Sequence, residues 1–206
     1  LFNKKGQIMS KEYTAQSIQV LSDRAHIQLR KGMYIGEAND PRQLLSEIFD
    51  NAIDEVQAGY SRELVVVVDT KNNVYRVRDY GRGIPHGKKK LESGEEKEIL
   101  EVLLTKSNSG GKFDNSSYNY SSGLNGLGLT VTNALSKMME MMSVRKGKYV
   151  MAETWGTDEV EISYGITDEE DGTSVMFEPD KKFFHSAKIP IDFIKDRCRI
   201  ASALGF

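Results

Sequence analysis

Residues 42–58 constrain the fold of this chain more than any other segment. Leu45, Ile48, Ala52 and Val56 recur at three- and four-residue steps, one helical stripe that must face a core, and Gly59 ends the run. Glu47, Asn51 and Asp54 fall on the opposite stripe. A helix with one apolar side needs a second layer to cover it. The chain supplies one directly: Leu64 to Asp69 reads as a buried-strand run, Lys71-Asn72-Asn73 as a turn, and Val74 to Asp79 as the returning arm of a hairpin.

The remaining segments extend that pattern. Ser22 reads as the N-cap of a helix to about Arg30, closed by Gly32. Gly81 to Gly94 reads as a loop, Glu95 to Thr105 as a helix, and Leu127 to Lys137 as another. Strands are expected at roughly 139–145, 149–155, 159–164 and 173–178, with Asp168-Glu169-Glu170-Asp171-Gly172 as a solvated acidic turn between the last two. A final helix is expected from about Pro190 to Leu204. The expected fold class is α+β: a two-layer sandwich of a mixed, mainly antiparallel sheet covered on one face by helices. Residues 1–12, polar and without pattern, read as an N-terminal arm or appended residues, and 13–206 as one domain.

Composition removes several alternatives. With 28 basic and 30 acidic side chains the formal charge is −2, so no overall field draws nucleic acid, and any grip on DNA must lie mostly elsewhere. No run has the apolar length that spans a bilayer, and no signal-peptide pattern opens the chain. Cys198 is the single cysteine, which rules out an internal disulfide framework and fits a reducing cytoplasm. It reads as a packing residue of the last helix.

Three motifs carry chemistry. Glu47 and Asn51 stand one helical turn apart and project to the same side. An amide oxygen is a good hard ligand for magnesium, and a carboxylate one turn away can take a proton from an attacking water. In an arbitrary amphipathic helix the plain reading is a solvated polar face. Asp79 ends a strand just before Gly81 and Gly83, where a carboxylate can accept a hydrogen bond from an exocyclic amine such as that of adenine. Alone, Asp and Gly there read as a turn. Gly123, Gly126 and Gly128 precede a helix and free backbone N–H groups for phosphate oxygens. This loop follows no buried strand and no Walker lysine comes after it, so it is neither the dinucleotide fingerprint nor a P-loop. Residues 106–123, rich in Ser, Asn, Gly and Tyr, form a long segment of the kind that often serves as a lid.

In this order the three motifs resemble those of the Bergerat-fold ATPases, which include gyrase, heat-shock chaperones, mismatch-repair proteins and histidine kinases. Gly32-Met33-Tyr34-Ile35-Gly36, Asp50-Asn51-Ala52-Ile53-Asp54-Glu55, Gly81-Arg82-Gly83-Ile84-Pro85 and Gly110-Gly111-Lys112-Phe113-Asp114 narrow the resemblance to the B subunits of type IIA topoisomerases, over about residues 13–204. The resemblance implies ATP and magnesium as cofactors. It implies Glu47 as general base, Asn51 as magnesium ligand, and Asp79, with Thr173 beside it, as the adenine reader. Glu55, Arg82, Gly83, Ile84 and Pro85 would flank the nucleotide, with Arg82, Pro85 and Arg145 in the region where aminocoumarin inhibitors bind. Lys112 and Tyr118 would lie near the phosphates, and Gly123, Leu124, Asn125, Gly126, Leu127 and Gly128 would wrap them. Tyr13 and Ile18 would belong to an arm that crosses to a second copy when ATP closes the dimer. The implied partners are that second copy, a DNA-cleaving A-type subunit, and DNA through the complete enzyme.

Asn125 stands where bacterial members carry histidine, Lys31 where a proline is usual and Asn119 where a lysine is common, which points to a phage or otherwise divergent member. The resemblance also implies a transducer domain whose lysine reaches the terminal phosphate. For 206 residues ending at Phe206 it therefore implies slow hydrolysis and a mostly monomeric chain. Two other readings keep some of these features. A kinase- or chaperone-type module would share the fold, but His26, His86 and His185 lack the context of a phosphorylated histidine. A clamp that only binds ATP would have no use for Glu47.

Overall fold

The first hairpin forms at the residues the sequence predicts: β1 (Leu64–Asp69) pairs antiparallel with β2 (Val74–Asp79), Leu64 opposite Asp79. The computed structural model describes residues 21–36, 40–107 and 126–203. The other large strands are β5 (Ser136–Arg145), β6 (Lys148–Thr154), β7 (Glu161–Ile166) and β8 (Gly172–Pro179). They join the hairpin in one six-stranded sheet of order β1-β2-β8-β5-β6-β7. All of its pairings are antiparallel, so the parallel component expected of a mixed sheet is absent among the described residues. Insertion of β8 between β2 and β5 sets Arg78 opposite Ser174, and therefore brings Asp79 to the level of Thr173.

One face of the sheet is apolar. Tyr75, Val77, Met139, Met141, Val150, Ala152, Val175 and Phe177 all lie in the core on that face, with Tyr75 and Phe177 ring against ring. Over it lie α1 (Asp23–Leu29), α2 (Lys31–Ile35), α3 (Arg42–Gln57), α4 (Ile99–Thr105), α5 (Gly128–Ala134) and α6 (Ile191–Ala203). Ile27, Leu44, Leu45, Ile48, Leu100 and Leu104 are among the side chains that fill the interface. Burying each such side chain contributes roughly 1.5–3 kcal/mol. Among the described residues no helix is long and apolar enough to cross a membrane.

Helix α3 is covered on two sides. Besides the main core, Phe49 and Ile53 pack with Ala201 and Cys198 of α6, and Arg197 of α6 pairs with Asp50. The buried set is thus wider than the expected stripe, and Val56, at the C-terminal end, is only half-buried. Asp54, read from spacing as part of the polar stripe, is buried. Burial also pushes the Cys198 thiol up, as befits a packing residue.

Other differences have local causes. Strand β1 is an edge strand with alternating burial, not a buried run, and Val67 is 55% exposed. Ser22 caps α1 through Ala25, as expected, but Gly32 lies inside α2, whose end is at Gly36. Lys31, standing where the resemblance leads one to expect proline, donates to the Phe183 carbonyl at 2.6 Å. The 81–94 segment includes β3 (Lys88–Lys90), which pairs with β4 (Glu96–Glu98), so the first residues of the expected 95–105 helix are strand. Lys88 faces Glu98 and Lys90 faces Glu96, opposite charges that favour this small hairpin. The acidic turn is engaged rather than simply solvated: Glu169 and the Glu170 carbonyl hold Arg78, and Asp171 accepts from the Lys146 amide.

Side chains of α5 hold the end of α4. The Thr130 hydroxyl is 3.1 Å from both the Leu103 and Lys106 carbonyls, and Asn133 Nδ2 donates to the Leu104 carbonyl at 3.0 Å. Thr154 donates to Asn133 Oδ1 at 2.5 Å. Carbonyls at a helix end lack intrahelical partners, and these bonds supply them.

Candidate functional site

Two regions of α3 meet two different turns. At its middle, Glu47 is half-buried and accepts from Gln43 Nε2 at 2.7 Å. Gly128, first residue of α5, lies against the same carboxylate: a Cβ there would sit 2.6 Å from Glu47 Oε2 and 3.0 Å from its Cβ. Only a residue without a side chain permits that approach. Asn51, one turn further along α3, is half-buried. Leu127 packs on the core, so the chain entering α5 is anchored just before it passes Glu47.

At the end of α3, Glu55 meets the turn that follows β2. Its carboxylate accepts from the Arg82 amide at 3.1 Å, from Arg82 Nε at 3.2 Å and from Nη2 at 2.8 Å. A Cβ on Gly81 would lie 2.6 Å from Glu55 Oε2 and 3.0 Å from Asp79 Oδ1, so a side chain there would displace the Glu55 carboxylate from its present position. Gly83, at φ 65°, is pressed against the Val144 carbonyl, Arg145 and Ser143. Ser143 Oγ donates to the Ile84 carbonyl at 2.8 Å, and His86 Nε2 lies 3.1 Å from the Ser143 carbonyl. Ile84 packs on the core while Pro85 is exposed. Alanine at Gly83 would meet both a left-handed backbone and a backbone oxygen. We expect a loss of about 1–2 kcal/mol of stability from the conformation alone, read by denaturant unfolding.

Asp79 is the buried centre of this region, 5% exposed. Its Oδ1 accepts from the Gly81 amide at 2.9 Å and from the Thr173 amide at 3.3 Å. Gly172 leaves room for this, since a Cβ there would overlap the Asp79 carbonyl. Burial pushes the Asp79 carboxyl up to about 6. The Gly81 amide opposes the rise, the charge of Glu55 adds to it, and the Thr173 amide and Arg78 oppose it. A raised folded value means stability present at low pH is lost as pH climbs through 6. Asp79→Asn should therefore be more stable than the parent at pH 7, and the gap should narrow by about 1 kcal/mol at pH 5. Chemical denaturation of both proteins at the two pH values checks this.

The structure thus brings Glu47 together with Gly128, and brings Glu55, Asp79, Gly81, Arg82 and Thr173 together at the other end of α3. Gly126 is half-buried at the approach to α5. Tyr13, Ile18, Lys112, Tyr118, Gly123, Leu124 and Asn125 lie outside the described residues. Sequence reasoning missed Tyr60, whose ring stacks on Arg82, and Ser143, which holds Ile84 from a neighbouring strand. Nothing in the local pattern of either residue marks it.

Residues 36–182 match the family described as histidine kinase-, DNA gyrase B-, and HSP90-like ATPase. The chain is 38% identical over 192 residues to the B subunit of a type 2 topoisomerase of Aquifex aeolicus, covering 91% of this chain and 24% of that protein. It is 35% identical to the B subunit of DNA topoisomerase 4 of Haemophilus influenzae, over 95% of this chain and 31% of that protein. With the B subunit of DNA gyrase of Treponema pallidum it shares 40% identity, over 85% of this chain and 28% of that protein. It spans about a quarter to a third of the length of these curated relatives. The glycine-lined approach to Glu47 and the buried acid at Asp79 belong, on these matches, to a chain of the histidine kinase-, DNA gyrase B-, and HSP90-like ATPase family, as an ATPase domain of the kind found in the B subunits of type IIA topoisomerases.

Proposed function

We propose that this domain binds magnesium-ATP and hydrolyses it as the nucleotide-operated part of a type II DNA topoisomerase. One observation carries the reading. Among the described residues, both hydrogen bonds to the buried Asp79 carboxylate fall on Oδ1, which leaves Oδ2 to accept from the amino group of adenine. The Thr173 amide holds the other oxygen of the same carboxylate. Glu55, Arg82, Gly83, Ile84 and Pro85 form the flank of the base end.

The residues fit the rest of the ligand. Gly81 and Gly128 are both places where a side chain would fill space next to a carboxylate. Asn51 would ligate magnesium through its amide oxygen, and a single protein ligand suits an ion that keeps water and phosphate around it. The Gly123–Gly128 segment, with Lys112 and Tyr118, would contact the triphosphate. Glu47 takes a proton from water as that water attacks the γ-phosphorus, and ADP leaves with the electron pair of the broken P–O bond. ATP-driven pairing of two copies through Tyr13 and Ile18 would close a gate on DNA, with an A-type subunit cutting the strand and hydrolysis resetting the gate. The domain would act in the cytoplasm. An aminocoumarin would compete at Arg82, Pro85 and Arg145.

Calorimetric titration with magnesium and a non-hydrolysable ATP analogue tests the reading. Binding by the parent with loss in Asp79→Asn is the expected result. Equal binding by both would put the pocket elsewhere.

A further inference from the structure

Helix α3 ends in a turn that does more than stop it. The amides of Tyr60 and Ser61 both donate to the Glu55 carbonyl, at 3.0 and 3.1 Å. Ser61 Oγ then accepts from the Tyr80 amide at 3.1 Å and donates to the Glu63 carbonyl at 2.7 Å. This ties the end of α3 to the turn carrying Asp79 and Arg82. It also sets the Tyr60 ring over the Arg82 guanidinium, whose Cζ lies 3.7 Å from the ring centroid. The edge of the same guanidinium is held by Glu55 at 3.2 and 2.8 Å. Arg82 is therefore fixed by a carboxylate on its edge and an aromatic ring on one face.

Tyr60 is 50% exposed, so core packing does not account for an aromatic residue here. About a third of the Arg82 side chain, 35%, remains open to solvent, three residues beyond the acid at the base end of the pocket. A guanidinium is flat and stacks on flat ligands as readily as on rings. Held in place beforehand, it costs a ligand less ordering than a free side chain would.

We infer that Tyr60 is a positioning residue for nucleotide binding: it holds Arg82 flat at the pocket mouth, where the guanidinium meets the base rather than the phosphates. This rests on the reading of the site as an ATP pocket. Because the contact is made at the base, Tyr60→Ala should weaken a magnesium-bound ATP analogue and ADP by the same factor, about two- to fivefold. A loosened fold, by contrast, would lower the melting temperature.

The test is calorimetric titration of the parent, Tyr60→Ala, Tyr60→Phe, Arg82→Ala and the Tyr60→Ala/Arg82→Ala pair with both nucleotides, alongside their melting. The expected results are equal losses for the two nucleotides in Tyr60→Ala with parental melting, recovery in Tyr60→Phe, and no further loss when Tyr60→Ala is added to Arg82→Ala. Parental affinity in Tyr60→Ala, or full additivity in the double variant, would overturn the inference. If the parent binds and Asp79→Asn does not, such a result removes only the role of Tyr60. If the parent itself binds neither nucleotide, the ATP-site reading falls and this inference falls with it.

Discussion

Alanine at Glu47 is expected to leave the affinity for a magnesium-bound ATP analogue within about twofold of the parent, and to lower ATP turnover by about two to four decades. The two effects separate because a general base acts on the water in the transition state and makes no bond to bound ATP. Geometry supports the assignment: Glu47 sits on a helix whose apolar side is buried, is held by Gln43, and faces the glycine that opens α5. Glu47 is only half-buried and alanine is the strongest helix former, so the fold should tolerate the change. Single-turnover phosphate release, measured beside the titration, distinguishes the outcomes. Undiminished turnover would remove Glu47 from the mechanism, and a parallel loss of affinity would make it a binding residue instead.

Asparagine at Asp79 should act in the opposite way, on binding. An acceptor-only carboxylate becomes an amide whose NH2 meets the amino group of adenine donor to donor. Losing one charge-assisted hydrogen bond costs roughly 1.5–3 kcal/mol, about one to two decades in affinity. The same change removes a buried charge that burial itself opposes, so the variant should bind worse and fold better at neutral pH. Binding and stability moving in opposite directions is a signature that general damage to the fold would not produce. A variant that lost both would mean that Asp79 matters only for the turn.

Much of this architecture was legible beforehand. The β1–β2 hairpin, α3 and the four later strands fall at or near the expected residues, because alternation and helical spacing record burial on one face. The errors have a common origin. Strand β1 reads as buried from its valines, yet its place at the sheet edge follows from strand order, which no local pattern encodes. Asp54 reads as polar-face from spacing, but the helix has cover on two sides. The β3–β4 hairpin is built from lysines and glutamates, so it carries no hydrophobic period to detect.

The sequence by itself determined where the candidate residues stand along the chain: Glu47 and Asn51 one helical turn apart, Asp79 before a glycine-broken turn, and glycines leading into α5. These are statements about neighbours along the chain, and short-range geometry suffices to make them. Only the tertiary structure decided what those residues meet. Inserting β8 between β2 and β5 brings Thr173 to Asp79, α5 carries Gly128 to Glu47, and the turn after α3 lays Tyr60 on Arg82. Each of these contacts depends on how the chain turns and crosses rather than on local spacing. They form because burying one apolar sheet face under a layer of helices leaves the connecting turns little freedom in where they cross.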